Sequence, residues 1–121
     1  MSKMSRILLV EDEIILLLDL IDQLTELGFE PVPVTSAKGA TSLIDSVDAL
    51  VTDIELPGSY DGLKLARFAA QRRPNLPIVV VSGGVRPTAD DLPKGAVFLP
   101  KPYRVDDVRA ALESQRITRA A

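Results

Sequence analysis

The amino-acid sequence predicts an open α/β fold, a parallel sheet carrying helices on both faces. Three observations lead there. Short unbroken runs of Val, Ile and Leu recur, as strands buried on both faces of a parallel sheet require. Segments with helical apolar spacing fill the gaps between those runs. The two kinds of segment alternate along the chain, with a weak helical signal only in the last gap between strands, which implies right-handed crossovers.

Ile7-Leu8-Leu9-Val10 reads as the first strand. From Glu13 to Leu27 the apolar residues Ile14, Leu17, Leu18, Ile21 and Leu24 keep helical spacing, and Gly28 is placed to stop that helix. Pro31-Val32-Pro33-Val34 is a weaker strand. Its prolines remove ladder donors, so it belongs at a sheet edge. Ser36 can cap a second helix carrying Ala40, Leu43 and Ile44. Leu50-Val51, with Ile54 beyond, is the third strand. Asp61 or Gly62 opens a third helix, Leu63 to Arg73, which Pro74 stops.

Ile78-Val79-Val80-Val81 is the fourth strand, and Ala96-Val97-Phe98-Leu99 the fifth, ending at Pro100. Between them Gly83 and Gly84 disfavour helix by about 1 kcal/mol each relative to Ala. Pro93 would break a helix interior, and Pro87 forces the residue before it into an extended conformation. Only Thr88 to Leu92 is free to turn, about one helical turn capped by Thr88. The fourth crossover is therefore expected to be reduced and mobile, without a full-length helix. Asp106 and Asp107 open the last helix, where acidic groups favour the positive helix end, and Val105, Val108 and Leu112 face inward. Arg116 to Ala121 reads as a frayed tail. Residues 1–121 read as one unit with a core from about 6 to 115, flexible termini, and nothing left over for an output domain.

Composition narrows the chemistry. At 121 residues, 46% hydrophobic and 26% charged, the chain has the balance of a soluble globular domain. There is no Cys, so disulfides and thiolate chemistry are excluded, and no His, so His-based acid–base catalysis and His metal sites go too. Any metal must use oxygen ligands, which points to a hard cation such as Mg²⁺. The formal charge of −3 leaves no footprint for nucleic acid, and the absence of Trp argues against a base-stacking surface. The most apolar run, Ile14 to Ile21, is interrupted by Asp19 and is too short to span a membrane. No signal peptide is evident, so a cytoplasmic location is expected.

In an open α/β sheet, ligands bind outside the carboxyl ends of the strands. Glu11, Asp12 and Glu13 follow the first strand, and Asp53 ends the third with Glu55 two residues on. Ser82, Gly83 and Gly84 follow the fourth, and Lys101 and Pro102 the fifth. The fold thus brings several carboxylates, a hydroxyl and an ammonium to one rim. Crowded carboxylates repel unless a cation sits among them. Mg²⁺ held directly by Asp12 and Asp53 relieves this, and Lys101 and Ser82 are left to hold an anion beside it. The combination suits a phosphoryl group on Asp53.

These residues stand in a recognisable series. Leu8-Leu9-Val10-Glu11-Asp12-Glu13, Val51-Thr52-Asp53-Ile54-Glu55-Leu56-Pro57, Asp61-Gly62-Leu63, Val80-Val81-Ser82-Gly83 and Leu99-Pro100-Lys101-Pro102-Tyr103 together resemble the receiver domain of two-component response regulators. The resemblance spans roughly Arg6 to Leu112, and includes the stand-alone, chemotaxis-regulator-like type. It implies a flavodoxin-like five-stranded sheet in the order 2-1-3-4-5. It implies Asp53 as phospho-acceptor, Asp12 as direct Mg²⁺ ligand, Glu11 acting on the ion through water, and the backbone carbonyl of Glu55 as a further ligand. It makes Ser82 the switch hydroxyl, Phe98 the switch aromatic and Lys101 the phosphate-binding lysine, with a cis Lys101-Pro102 bond. The implied partner is a histidine kinase or a His-containing phosphotransfer protein, which would supply the phosphoryl group from its own His.

Three departures stand out. Phe98 has no hydroxyl where Tyr is common, the fourth crossover is short, and Glu55 sets a carboxylate beside the acceptor. The Ser82-Gly83-Gly84 run is similar to a subgroup of stand-alone receivers with a modified fourth crossover. Taken singly, each residue has an ordinary explanation: Glu11 to Glu13 as acids opening a helix, Ser82 as a turn residue, Phe98 as core, Glu55 as a surface carboxylate.

The expected function is a switch that catalyses only its own phosphorylation and dephosphorylation, read out by a downstream protein the sequence does not name. The alternatives are a small Mg²⁺-dependent phosphatase of the haloacid-dehalogenase type and a degenerate receiver that only binds. Against the first, position 55 is Glu rather than the usual Asp, and the acidic pair precedes the nucleophile. Intact Asp12, Asp53 and Lys101 count against the second. Any homodimer is expected to use a surface such as the apolar first helix.

Overall fold

The computed structural model describes residues 6–120, with side chains through residue 115. Five parallel strands form one sheet in the order β2-β1-β3-β4-β5: β1 (Arg6–Val10), β2 (Glu30–Val34), β3 (Ala49–Asp53), β4 (Ile78–Ser82) and β5 (Val97–Pro100). The helices are α1 (Ile14–Glu26), α2 (Ala37–Ala40), α3 (Gly62–Arg72) and α4 (Val105–Ala120). Side chains alternate across the sheet and divide the core in two. Leu8, Val10, Leu50, Ile78 and Val80 pack with Ala37, Ile44, Leu65 and Ala69 on the α2–α3 face. Ile7, Leu9, Val51, Val79 and Val81 pack with Leu17, Leu20, Leu24, Val108 and Leu112 on the α1–α4 face. Burial on both faces is why these strands carry unbroken apolar runs.

The expected edge position of β2 holds. It pairs only with β1, with Pro31 beside Ile7 and Pro33 beside Leu9. Helix α1 ends in a Schellman motif: Gly28, at φ 93°, donates to the Thr25 carbonyl, and Phe29 donates to that of Leu24. Its exposed side carries Ile14, Ile15, Leu16 and Leu18.

The single second helix expected after Ser36 is instead split. Ser36 caps α2 by accepting from the Gly39 amide, but the chain then tightens to a 3₁₀ helix over Thr41–Ser46. The hydroxyls of Thr41 and Ser46 bond back three residues to the carbonyls of Lys38 and Leu43. Such local bonds compete with α-helix, and Gly39 weakens it further. At the far end of the sheet α4 stays helical to Ala120, past the point where a frayed tail was expected. Ala121 lies outside the described residues.

The fourth crossover is reduced, as its glycines and prolines require. It holds one 3₁₀ turn, Ala89–Asp91, closed by a reciprocal capping box between Thr88 and Asp91. Arg67 of α3 anchors it, donating from Nε and Nη2 to the Asp91 carbonyl at 3.2 and 2.9 Å. No helix among the described residues is long and apolar enough to cross a membrane.

Candidate functional site

Four of the five strands deliver their chemistry at the carboxyl end. β1 runs out at Glu11, β3 ends on Asp53, β4 ends on Ser82, and β5 is followed by Lys101. The rim lies where the order reverses on either side of β1, the place at which open α/β sheets bind ligands.

Asp53 is 3% exposed and its carboxylate is held on both oxygens. The Glu55 amide donates to Oδ1 at 3.1 Å, and Lys101 Nζ donates to Oδ2 at 2.8 Å. Lys101 reaches this position from a cis Lys101-Pro102 bond, as expected. The same Nζ lies 2.9 Å from Glu11 Oε1 and 3.4 Å from Glu13 Oε1. One ammonium thus faces three carboxylates. Burial alone would lower the lysine pKa, but its hydrogen bond to Asp53 and its close contact with the Glu11 carboxylate outweigh that and hold it above its ordinary value. Burial raises the Glu11 pKa, and the Asp53 charge adds to this while Lys101 opposes it.

Carboxylate oxygens of Glu11, Glu13 and Asp53 lie within 4.8 Å of one another. Glu11 Oε1 is buried and has an ion-pair contact with Lys101 but no aligned hydrogen bond. Glu11 Oε2 accepts from the Glu13 amide at 3.1 Å. An all-oxygen, charge-crowded cluster with an under-satisfied buried oxygen fits a hard divalent cation. Asp12 is exposed and lines the same open cleft of about 370 Å³, together with Glu13, Asp53, Glu55, Gly83, Gly84 and Lys101.

Ser82 is 2% exposed and donates its hydroxyl to Glu55 Oε1 at 2.7 Å. The Gly84 amide donates to the same oxygen at 3.3 Å. These bonds, that of Ser82 foremost, lower the Glu55 pKa. Phe98 is half-buried against the core on the α2–α3 face.

Three contributors had been given no role at the site by the sequence. Glu13 joins the carboxylate cluster and contacts Lys101. Gly62 packs its backbone against Asp53. Tyr103 is half-buried beside Glu11, and that burial pushes its phenol up to about 12. Glu13 had a signal, its place beside Glu11-Asp12. The roles of Gly62 and Tyr103 depend on how α3 and the turn after β5 pack, which no local pattern reports.

Sheet order, rim and acidic cluster together define a receiver. The model of the response regulator receiver domain matches residues 7–113, and the chain belongs to that family. It is 30% identical over 120 residues to the response regulator receiver protein CpdR of Brucella abortus, covering 94% of this chain and 98% of that one. It is 35% identical over 69 residues to the DNA-binding transcriptional regulator NtrC of Escherichia coli, covering 54% of this chain. It spans 14% of the length of NtrC, and 17% of that of a putative two-component response regulator of Arabidopsis thaliana, ARR21, to which it is 29% identical over 107 residues. A crystal structure of a response regulator receiver protein from Sinorhizobium medicae superposes with a TM-score of 0.83 at 34% identity, covering 97% of this chain and 98% of that chain.

Proposed function

We propose that this domain is a phosphorylation-dependent switch that accepts a phosphoryl group on Asp53 from a histidine kinase or a His-containing phosphotransfer protein. The observation that carries the reading is the Asp53–Lys101 contact of 2.8 Å at the floor of an open acidic cleft. Two fixed donors orient the Asp53 carboxylate toward an attacking position. As an Asp53 oxygen bonds to phosphorus, the bond from phosphorus to the donor breaks, and the donor keeps the electron pair. Lys101 then faces the added negative charge.

Mg²⁺ would neutralise the carboxylates and the phosphoryl oxygens together. Asp12 and Asp53 are its direct ligands in this reading, with the Glu55 backbone carbonyl. Glu11 acts on it through water. Ser82 and Phe98 respond to the phosphoryl group, and the response is passed to a downstream protein. The domain acts on its own aspartate rather than on a separate substrate.

The phosphoryl donor docks on the apolar face of α1. Ile15 is 83% and Leu18 57% exposed there. On another side of α1, Glu13 lines both the cleft and an apolar groove with Leu16, Leu20 and Tyr103. A homodimer through α1 would compete with that docking.

The test is incubation with a small-molecule phosphodonor and Mg²⁺, read by intact mass. Wild type should gain one phosphoryl group, and Asp53→Asn should gain none. Asp12→Ala should weaken Mg²⁺ binding. Equal modification of the Asp53→Asn protein would refute the assignment.

A further inference from the structure

The Glu55–Ser82–Gly84 contact is not required by any step above. A hydroxyl has one proton to donate. In this structure Ser82 gives it to Glu55 Oε1 at 2.7 Å, and the Gly84 amide supplies a second bond to the same oxygen. The fit is close on the other oxygen as well, since a Cβ at Gly84 would stand 3.1 Å from Glu55 Oε2. An anionic group is thus already bound where Ser82 would receive a phosphoryl oxygen. A phosphoryl group brings on the order of two negative charges, and the backbone amide of Glu55 already touches Asp53. Two anions cannot share one hydroxyl proton, so one must leave.

We propose that Glu55 is an internal stand-in for the phosphoryl group. In the unphosphorylated domain its carboxylate latches the Ser82 hydroxyl and the Gly84 amide, and it must release both before Ser82 can follow a phosphoryl oxygen. The proposal rests on Asp53 being the acceptor. Glu55 is a positioning residue here, acting through Ser82. Release also frees the start of the fourth crossover, since Gly84 is its second glycine. The latch therefore links the chemistry at Asp53 to the segment that Arg67 anchors from the other side.

The test uses the full chain, Mg²⁺ and beryllofluoride, a stable phosphoryl mimic, followed by ¹⁵N resonances. Glu55→Ala should bind the mimic on the order of 10-fold more tightly than wild type, because no latch has to be broken. Glu55→Gln retains an acceptor without the charge and should fall between the two. Gly84→Ala would set a methyl 3.1 Å from Glu55 Oε2, so the carboxylate must shift by a fraction of an ångström, which should loosen the latch and tighten binding by less than Glu55→Ala does. In a Ser82→Ala background, removing Glu55 should change affinity only about 2-fold, the part due to charge alone. The Gly84 amide of the unliganded Glu55→Ala protein should sit displaced toward its liganded position.

Wild-type affinity in Glu55→Ala, or an equal gain with and without Ser82, would overturn the latch. If wild type binds no beryllofluoride, the Asp53 assignment itself fails, and the latch with it. Binding by wild type with no effect of Glu55 sinks only the latch. The same spectra report whether each variant is folded, and Glu55→Gln and Gly84→Ala keep the test decisive if Ser82→Ala is not.

Discussion

The backbone of Gly62 lies against the carbonyl of Asp53 so closely that a Cβ on Gly62 would stand 1.7 Å from that oxygen. The Gly62 amide meanwhile donates to the Ile54 carbonyl at 3.0 Å. The first residue of α3 is thus pressed onto the strand end that carries the acceptor. Asp61, whose side chain accepts from the Lys64 amide at 3.0 Å, starts the helix one residue earlier and fixes this approach.

Gly62→Ala should therefore be costly. The new methyl meets rigid backbone, and overpacking of this kind costs about 3 kcal/mol or more. The urea midpoint should fall, and the Asp53 and Ile54 amide resonances should shift. Gly83→Ala is the matched control, because its nearest neighbour would be Lys101 Cδ at 3.8 Å. It should change stability by about 0.5 kcal/mol or less. A wild-type midpoint for Gly62→Ala would contradict the contact.

Gln115 ties α4 to the start of β4. It is 5% exposed, accepts from the Ile78 amide at 2.9 Å and donates to the Ile78 carbonyl at 2.9 Å. Gln115→Leu keeps the bulk but strands a buried backbone donor and acceptor. Unpaired buried groups cost roughly 1–3 kcal/mol each, so a loss of about 2–4 kcal/mol is expected on chemical denaturation. A loss below about 0.5 kcal/mol would show that solvent reaches Ile78 in their place.

Arg67 and the fourth crossover give a local prediction. In wild type the Asp91 and Leu92 amides, bonded only within the turn to Thr88 and Ala89, should exchange faster than those of β3 and β4. Arg67→Ala removes the two bonds to the Asp91 carbonyl and should speed that exchange roughly 5-fold, with little change in the global midpoint. Unchanged exchange at Asp91 would mean that the capping box alone holds the turn.

Tyr103 sets a pH dependence at the alkaline end. Its phenol is raised from about 10 to about 12 in the fold, first by burial and then by the Glu11 charge. Between those values the unfolded chain has lost the phenolic proton and the folded one keeps it. The folded state binds more protons there, so stability falls as pH rises through that window. Tyr103→Phe should flatten the decline, measured as the denaturation midpoint at stepped pH. An equally steep fall in the variant would place the effect elsewhere.

Much of this protein was legible in its amino-acid order. The apolar runs at Ile7 to Val10 and Ile78 to Val81 marked buried strands, and Pro31 and Pro33 marked the edge. The glycines and prolines from Gly83 to Gly95 removed the fourth helix. Glu11, Asp53, Ser82 and Lys101 could be placed on one rim because each sits at or just beyond a strand's carboxyl end. These features are local, since backbone conformation and side-chain alternation depend on neighbours in the chain.

Tertiary structure decided which atoms meet. Ser82 finds Glu55 across 27 residues, Arg67 finds Asp91 across 24, and Gln115 finds Ile78 across 37. It also drew Glu13 into the cluster, set Tyr103 beside Glu11, and pressed Gly62 onto Asp53. Periodicity says which face of an element is buried. It does not say how far that element slides along its neighbour, and a slide of one residue would separate every one of these pairs. That offset follows from filling two core layers at close-packed density, so it exists only once the helices and the sheet are packed together.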